Sequence, residues 1–141
     1  DVLTPNIPEA ERLAGMPIAS LGEMEAAAWK IQSLGCKAVV VKGGHASGEA
    51  IDVLFDGSAF FHFSRPRINS LNTHGTGCTF SSAIAARLAL GEGLAKAVEG
   101  AKAYVAAAIA SAPKLGKGFG PTNHFFAFFP QGTGGEKGEK G

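Results

Sequence analysis

The chain has 141 residues, with a hydrophobic fraction of 45% and a charged fraction of 18%, enough apolar material for one folded domain. This composition excludes a natively disordered protein. The formal net charge of +1 gives no electrostatic reason to expect nucleic acid or an anionic membrane as partner. No apolar run approaches the roughly 20 residues that span a bilayer. The two cysteines, Cys36 and Cys78, form no CxxC pair, which fits a reducing cytoplasmic environment.

The first third of the chain predicts the end of a strand followed by two helices. Asp1–Thr4 predicts the strand end, and Pro8–Ala14 predicts a short helix. A longer helix is expected to begin after Ser20, because Ser20 and Glu23 have the spacing of a capping box. Its apolar residues recur at helical spacing, and Gly35 is expected to end it.

A buried strand and a hairpin are predicted next. Ala38–Val41 is short, apolar and β-branched, as in strands that are covered on both faces of a parallel sheet. The apolar stretches Ala50–Asp56 and Ala59–Phe63 flank an Asp-Gly pair, which is a strong hairpin signal.

The last part of the chain predicts two more helices and a tail. The glycine-rich segment Asn72–Cys78 leads into a helix with Phe80 and Leu88 on its apolar stripe, and another helix follows from Leu94. Residues 131–141 are glycine-rich without apolar residues and are expected to form a mobile tail. This order of elements predicts an α/β fold. Its few strands would leave a long unpaired sheet edge, so further strands are expected outside this chain.

The segment Gly75-Thr76-Gly77-Cys78 opens the predicted third helix. Two glycines let the backbone approach an anion, and the free N–H groups and dipole of a helix start attract negative charge. This arrangement is typical of a site that holds a phosphate or a phosphoryl group in transfer. A Cys78 thiolate there could accept a proton from a substrate hydroxyl. A tight turn before a small core cysteine explains the same four residues, and the pattern alone leaves both interpretations open.

Two other patterns fit a phosphate site without requiring one. Asn6 and Glu9 have the spacing of a helix cap, and they also fit a nucleotide site in which Glu9 holds Mg²⁺ through water. Lys42 and two glycines follow the buried strand at the end where α/β sheets bind ligands. A solvated lysine in a glycine turn fits equally well.

Three blocks, TPNIPEAE, VVVKGGH and NTHGTGCTFSSAIAA, resemble in order and spacing the C-terminal half of hydroxymethylpyrimidine/phosphomethylpyrimidine kinases. The resemblance runs from Asp1 to about Phe128 and includes Ala101–Tyr104, the counterpart of the family's AK-x-Y pattern. It implies the C-terminal half of a ribokinase-like three-layer α/β/α fold over residues 1–130. The N-terminal half, which carries most of the pyrimidine pocket, is expected to be absent from this chain.

The resemblance also implies a role for each residue of the site. Cys78 would be the catalytic base, in the place of the aspartate of related sugar kinases. Gly75, Thr76 and Gly77 would form an anion hole, and Asn6 and Glu9 would organise Mg²⁺. Lys42 and Thr73 would contact the ATP phosphates, and Lys102 would lie beside the nucleotide.

The implied activity is ATP-dependent phosphorylation of 4-amino-5-hydroxymethyl-2-methylpyrimidine and of its monophosphate in thiamine biosynthesis. Pyridoxal kinase of the same superfamily is an alternative, because some of its members share the Cys-type loop. A non-catalytic nucleotide-binding module is an alternative of another class. The resemblance further implies a homodimer in the cytoplasm, and we expect this chain alone to be a poor enzyme.

Overall fold

The computed structural model of the chain describes residues 1–43, 50–65, 75–112 and 122–128. They form four strands and four helices. After the first strand, the elements follow the predicted order of helix, helix, strand, hairpin, helix, helix. The elements are β1 (Val2–Leu3), α1 (Ile7–Ala14), α2 (Leu21–Gln32), β2 (Ala38–Lys42), β3 (Ala50–Phe55), β4 (Phe60–Arg65), α3 (Thr76–Ala89) and α4 (Leu94–Ala110). The predicted tail over residues 131–141 and the end of the predicted domain at residue 130 lie outside the described residues.

The strands form one mixed sheet in the order β1-β2-β3-β4. β1 runs parallel to β2, with Val2 opposite Ala38, whereas β2, β3 and β4 are antiparallel neighbours. α1 and α2 connect the parallel strands β1 and β2, and the hairpin accounts for the antiparallel pair of β3 and β4. Within the described residues, the outer edge of β1 has no strand partner.

Helices cover both faces of the sheet, which confirms the predicted three-layer α/β/α arrangement. Val39 and Val41 pack on one face with the buried residues of α1 and α2, among them Ile31. Val40 packs on the other face with α3 and α4, where it joins Ile84. All of Ala38–Val41 is buried, as its continuous apolar run predicted.

Most helix and turn boundaries follow the predicted signals, with three differences in detail. α2 ends at Gln32 with Ser33 as its C-cap, before Gly35, which was expected to end it. Four residues, from Asp56 to Ala59, connect β3 and β4, instead of the two-residue turn that Asp-Gly most often forms. The capping box of α2 is also shifted by one residue. Ser20 Oγ accepts the Glu23 N–H, but the Glu23 carboxylate accepts the N–H of Ala19 at 2.7 Å rather than that of Ser20. Among the described residues, no helix is both long and apolar enough to cross a membrane.

Candidate active site

Asn6 and Glu9 form a complete capping box at the start of α1. Asn6 Oδ1 accepts the Glu9 N–H at 2.9 Å, and Glu9 Oε2 accepts the Asn6 N–H at 2.8 Å. The cap therefore uses one oxygen of each side chain. Glu9 Oε1 accepts no hydrogen bond within the described residues, and Glu9 is exposed beside a cavity of about 440 Å³. Glu9 can therefore cap the helix with one carboxylate oxygen and face a metal ion with the other.

Lys42, the last residue of β2, lies directly beside Asn6. The Lys42 N–H donates to the Pro5 carbonyl at 2.9 Å, and Asn6 and Lys42 form an isolated parallel bridge that continues the β1–β2 pairing. The carboxyl ends of both parallel strands thus meet at one sheet edge, where α/β folds bind ligands.

The Lys42 side chain reaches the first turn of α3. A Cβ atom built on Gly77 would lie 3.4 Å from Lys42 Nζ, so the ammonium group rests against the helix backbone at a position without a side chain. The ammonium group of Lys42 therefore lies beside the start of α3. Both attract anions.

The start of α3 requires the glycine that the sequence places there. Gly75 is the N-cap residue with φ of 81°, a left-handed conformation that glycine adopts without steric cost. Thr79 secures the first turn, because its hydroxyl donates to the Gly75 carbonyl at 2.9 Å. The second turn of α3 is joined to the residue that follows β1, since Thr4 Oγ1 lies 2.8 Å from Ser81 Oγ.

Cys78 is exposed in the first turn of α3 and lines a cavity of about 490 Å³. Tyr104 and His124 line the same cavity from α4 and from the segment 122–128. Their rings stack with centroids 6.3 Å apart. A substrate hydroxyl could approach the thiol from this cavity. The role of Cys78 as a base stays a prediction.

Lys102 lies in a buried ion pair rather than on the surface. Its Nζ is 2.8 Å from Asp52 Oδ2 and donates to the Phe63 carbonyl at 2.7 Å. The other oxygen, Asp52 Oδ1, accepts the N–H of Gly43 at 3.0 Å. Lys102 is thereby connected, through Asp52, to the residue that follows Lys42. Its predicted place beside a nucleotide stays a prediction.

The predicted site residues thus fall into three groups. Asn6, Glu9 and Lys42 lie at the carboxyl ends of β1 and β2, and Lys42 contacts the turn that contains Gly75, Thr76, Gly77 and Cys78. Lys102 reaches this region only through Asp52. Thr73 lies outside the described residues.

Sequence reasoning missed Asp52, Thr4 and Ser81. Asp52 carried a signal that could have been used, because it is a charged residue inside an otherwise apolar strand, and such a residue requires a buried partner. The pairing of Thr4 with Ser81 carried none, since the two hydroxyls are separated by 77 positions.

The chain is similar to known proteins over most of its length. Residues 1–123 match the family model described as phosphomethylpyrimidine kinase. A thiamine biosynthesis bifunctional protein of Geobacter sulfurreducens is 54% identical over 127 residues, which cover 89% of this chain and 26% of that protein. A hydroxymethylpyrimidine/phosphomethylpyrimidine kinase of Bacillus subtilis is 45% identical over 125 residues, which cover 87% of this chain and 46% of that kinase.

The fold is also found in solved structures. An ADP complex of Bacillus subtilis pyridoxal kinase superposes with a TM-score of 0.82 at 40% identity, covering 88% of this chain and 49% of the other. The chain spans less than half the length of each of these curated relatives. The match to the family model contains every residue discussed above except those beyond residue 123.

Proposed function

This chain belongs to the phosphomethylpyrimidine kinase family, and we propose that it forms the phosphate-handling half of an ATP-dependent kinase. The substrates are 4-amino-5-hydroxymethyl-2-methylpyrimidine and its monophosphate, and the pathway is thiamine biosynthesis. The names of the relatives from Geobacter sulfurreducens and Bacillus subtilis support this substrate class. The ADP bound to the pyridoxal kinase supports ATP as the phosphoryl donor.

One observation carries the proposal. Lys42 Nζ lies against Gly77 in the first turn of α3, so a cation and the N–H groups of a helix start share one space. A triphosphate fits such a space, because its charge is matched by the ammonium group and its oxygens accept backbone N–H groups. The transferring phosphoryl group would then lie over Gly75–Cys78, next to the thiol.

The chain's own residues perform three tasks in the reaction. Lys42 and Thr73 hold the phosphates of ATP, and the backbone of Gly75, Thr76 and Gly77 stabilises the charge that spreads over the transferring group. The substrate hydroxyl oxygen forms a bond to the γ-phosphorus as the bond to the ADP oxygen breaks. The hydroxyl proton passes to the Cys78 thiolate.

Asn6 and Glu9 fit a Mg²⁺ ion that accompanies ATP. Oxygen ligands suit this ion, which is commonly held by one or two carboxylates together with phosphates. Glu9 is exposed and has one carboxylate oxygen that is not used by the capping box. When bound, Mg²⁺ would neutralise charge on the phosphates.

The pyrimidine pocket is expected in an N-terminal half that this chain does not contain. The proposal therefore applies to the protein that joins this chain to such a half, which we call the complete kinase. We further propose that the complete kinase is a cytoplasmic homodimer. We also propose that the kinase domain covers residues 1–130 of this chain and that residues 131–141 lie outside it.

The test is a substrate panel with the complete kinase and ATP–Mg²⁺. We expect phosphorylation of the hydroxymethylpyrimidine and of its monophosphate, and we expect Lys42→Met to raise the KM for ATP about tenfold or more, since it removes a charge from the phosphate site. Lys30→Met, on the exposed part of α2, is the matched control and should leave the KM unchanged. Absence of both pyrimidine products would refute the proposal.

Pyridoxal phosphorylation is a second candidate, because the solved structure with a TM-score of 0.82 is a pyridoxal kinase. Pyridoxal also carries a hydroxymethyl group on an aromatic ring. The same panel decides between them by the ratio of kcat/KM for pyridoxal and for the hydroxymethylpyrimidine. A non-catalytic module would instead bind ATP without turning over any of the three substrates.

A further inference from the structure

Asp52 lies between two lysines that have different partners. In the antiparallel pairing of β2 and β3, Asp52 is directly opposite Lys42, so both side chains leave the sheet on the same face. Yet the Asp52 carboxylate is bound to Lys102, at 2.8 Å, and to the Gly43 N–H, at 3.0 Å. Within the described ranges, Lys42 Nζ forms no ion pair and lies against Gly77.

Lysine and aspartate directly opposite each other on a sheet normally attract, because their Cβ atoms are only about 4.5–5.5 Å apart. Such an ion pair would withdraw the Lys42 ammonium group from the first turn of α3. Lys102 removes this attraction, since it already neutralises the carboxylate. Its own position is secured by the Phe63 carbonyl and by burial, with 9% of Lys102 and 7% of Asp52 exposed.

The carboxylate also determines the path of the chain beyond β2. Gly43 is packed so closely on the backbone of Ile51 that a Cβ atom there would overlap the Ile51 carbonyl. The hydrogen bond from the Gly43 N–H to Asp52 Oδ1 fixes the peptide that joins Gly43 to Lys42. Asp52 therefore orients the backbone next to Lys42 without binding its side chain.

We infer that Asp52 and Lys102 are positioning residues for Lys42. Lys102 neutralises the carboxylate opposite Lys42, which leaves the Lys42 ammonium group available to the phosphates of the nucleotide, and Asp52 holds the Gly43 peptide. The part that concerns phosphates rests on the proposed kinase function. The division of charge between the two lysines does not.

The first test measures the division of charge directly. Lysines of the complete kinase are acetylated with a limiting amount of acetic anhydride, and the extent of labelling at each position is measured by mass spectrometry. In the wild type, Lys42 is labelled and Lys102 is protected. In Lys102→Met, the Asp52 charge becomes available, Lys42 pairs with it, and labelling of Lys42 falls on the order of tenfold, the effect of a charge-assisted hydrogen bond.

A second substitution should reverse this loss. In Asp52→Asn combined with Lys102→Met no buried charge remains, while the new side-chain amide oxygen at position 52 can still accept the Gly43 N–H. Labelling of Lys42 should then return to within about twofold of the wild type. Lys102→Gln gives a second neutral variant that keeps a hydrogen-bond donor, in case the methionine variant fails to fold. Lys96→Met, an exposed lysine on the same helix, is the matched control and should change nothing.

The kinetic test uses the same four variants, which are Lys102→Met, Lys102→Gln, the double variant and the control Lys96→Met. The KM for ATP should rise on the order of tenfold in Lys102→Met and Lys102→Gln and recover in the double variant, while the KM for the pyrimidine substrate stays constant. A purely structural ion pair would lower the melting temperature without this recovery. Ile31→Val provides that comparison, because Ile31 is buried in the cluster on the other face of the sheet.

Two outcomes separate the inference from the proposed function. Unchanged Lys42 labelling in both neutral variants overturns the inference, whether or not the protein is a kinase. If the labelling pattern appears as expected but the complete kinase transfers no phosphoryl group, the proposed function fails and the division of charge stands. An elevated KM that the double variant does not restore would also overturn the inference.

Discussion

Thr4 Oγ1 and Ser81 Oγ lie 2.8 Å apart and join the end of β1 to the second turn of α3. This contact links the strand that leads to Asn6 with the helix that carries Cys78. We expect Thr4→Val and Ser81→Ala each to lower the melting temperature of the complete kinase by about 2–4 °C, the effect of losing about 1 kcal/mol.

The pair can be tested as a double-mutant cycle. If the two hydroxyls act on each other, the double variant melts no lower than the less stable single variant, because the second substitution removes nothing further. Ser82→Ala, the neighbouring exposed serine on α3, should melt within about 1 °C of the wild type. Fully additive losses would show that the hydroxyls contribute independently.

The proposed base gives a sharp kinetic prediction. Cys78→Ala in the complete kinase should lower kcat about a hundredfold or more, because the hydroxyl proton loses its acceptor, while the KM for ATP stays within about threefold. Cys36→Ala is the matched control. Cys36 is half-buried with its Sγ 3.7 Å from the Ile31 carbonyl, away from α3, so its substitution should leave kcat unchanged. Near-normal turnover of Cys78→Ala would remove Cys78 from the role of base.

Gly43 should not tolerate even a methyl group. Its Cβ position overlaps the Ile51 carbonyl, which is backbone and cannot rotate away. Gly43→Ala should therefore cost about 1–3 kcal/mol of folding free energy and also weaken ATP binding, since the strand end must shift.

Gly22→Ala is the control for this prediction, because no atom lies within 4 Å of the Gly22 Cβ position at the start of α2. That variant should be as stable as the wild type or more so by about 0.5–1 kcal/mol. Equal melting temperatures for the two variants would contradict the packing argument.

The hairpin turn predicts a dependence of stability on pH. Asp56 Oδ1 accepts the N–H of Ala59 and that of Ser58, each at 2.8 Å, and these two hydrogen bonds, with the Ser58 hydroxyl, lower the pKa of Asp56. A carboxyl group whose pKa is lower in the folded state stabilises the protein above its unfolded pKa, about 3.9. The contribution is lost as the pH falls through the lower, folded pKa.

Melting temperatures measured from pH 7 to pH 2 test this dependence. Asp56→Ala should be less stable than the wild type at pH 7, and the difference should narrow below about pH 4. Asp56→Asn keeps an acceptor that does not titrate, so its melting temperature should change less over the same interval. A difference between the wild type and Asp56→Ala that stays constant down to pH 2 would contradict the prediction.

Local patterns in the sequence predicted most of the fold. The buried run Ala38–Val41, the Ser20 signal for the start of α2 and the Asp-Gly signal depend on neighbours within a few residues, and each corresponds to an element or a boundary in the structure. The run Ala38–Val41 also indicated a strand that is covered on both faces, and the resemblance added that three layers, α/β/α, provide the cover.

The supporting contacts of the site could not be predicted in the same way. Asp52 and Lys102 are 50 positions apart, and neither spacing nor composition relates them. Lys102 was expected beside the nucleotide because the AK-x-Y pattern resembles the family's, and a pattern match does not reveal which carboxylate the ammonium group contacts. The roles of Cys78, Lys42 and Glu9 in catalysis stay predictions.

The long-range hydrogen bonds also determine when the site can appear during folding. The cap of α1 closes over three positions, whereas the contacts of Lys102 with Asp52 and of Thr4 with Ser81 span 50 and 77. Contacts between distant positions pay the greater loop-closure entropy and tend to form late. We therefore expect helices to form on refolding before the chain can hold a nucleotide, so that recovery of nucleotide binding marks the last stage of the process.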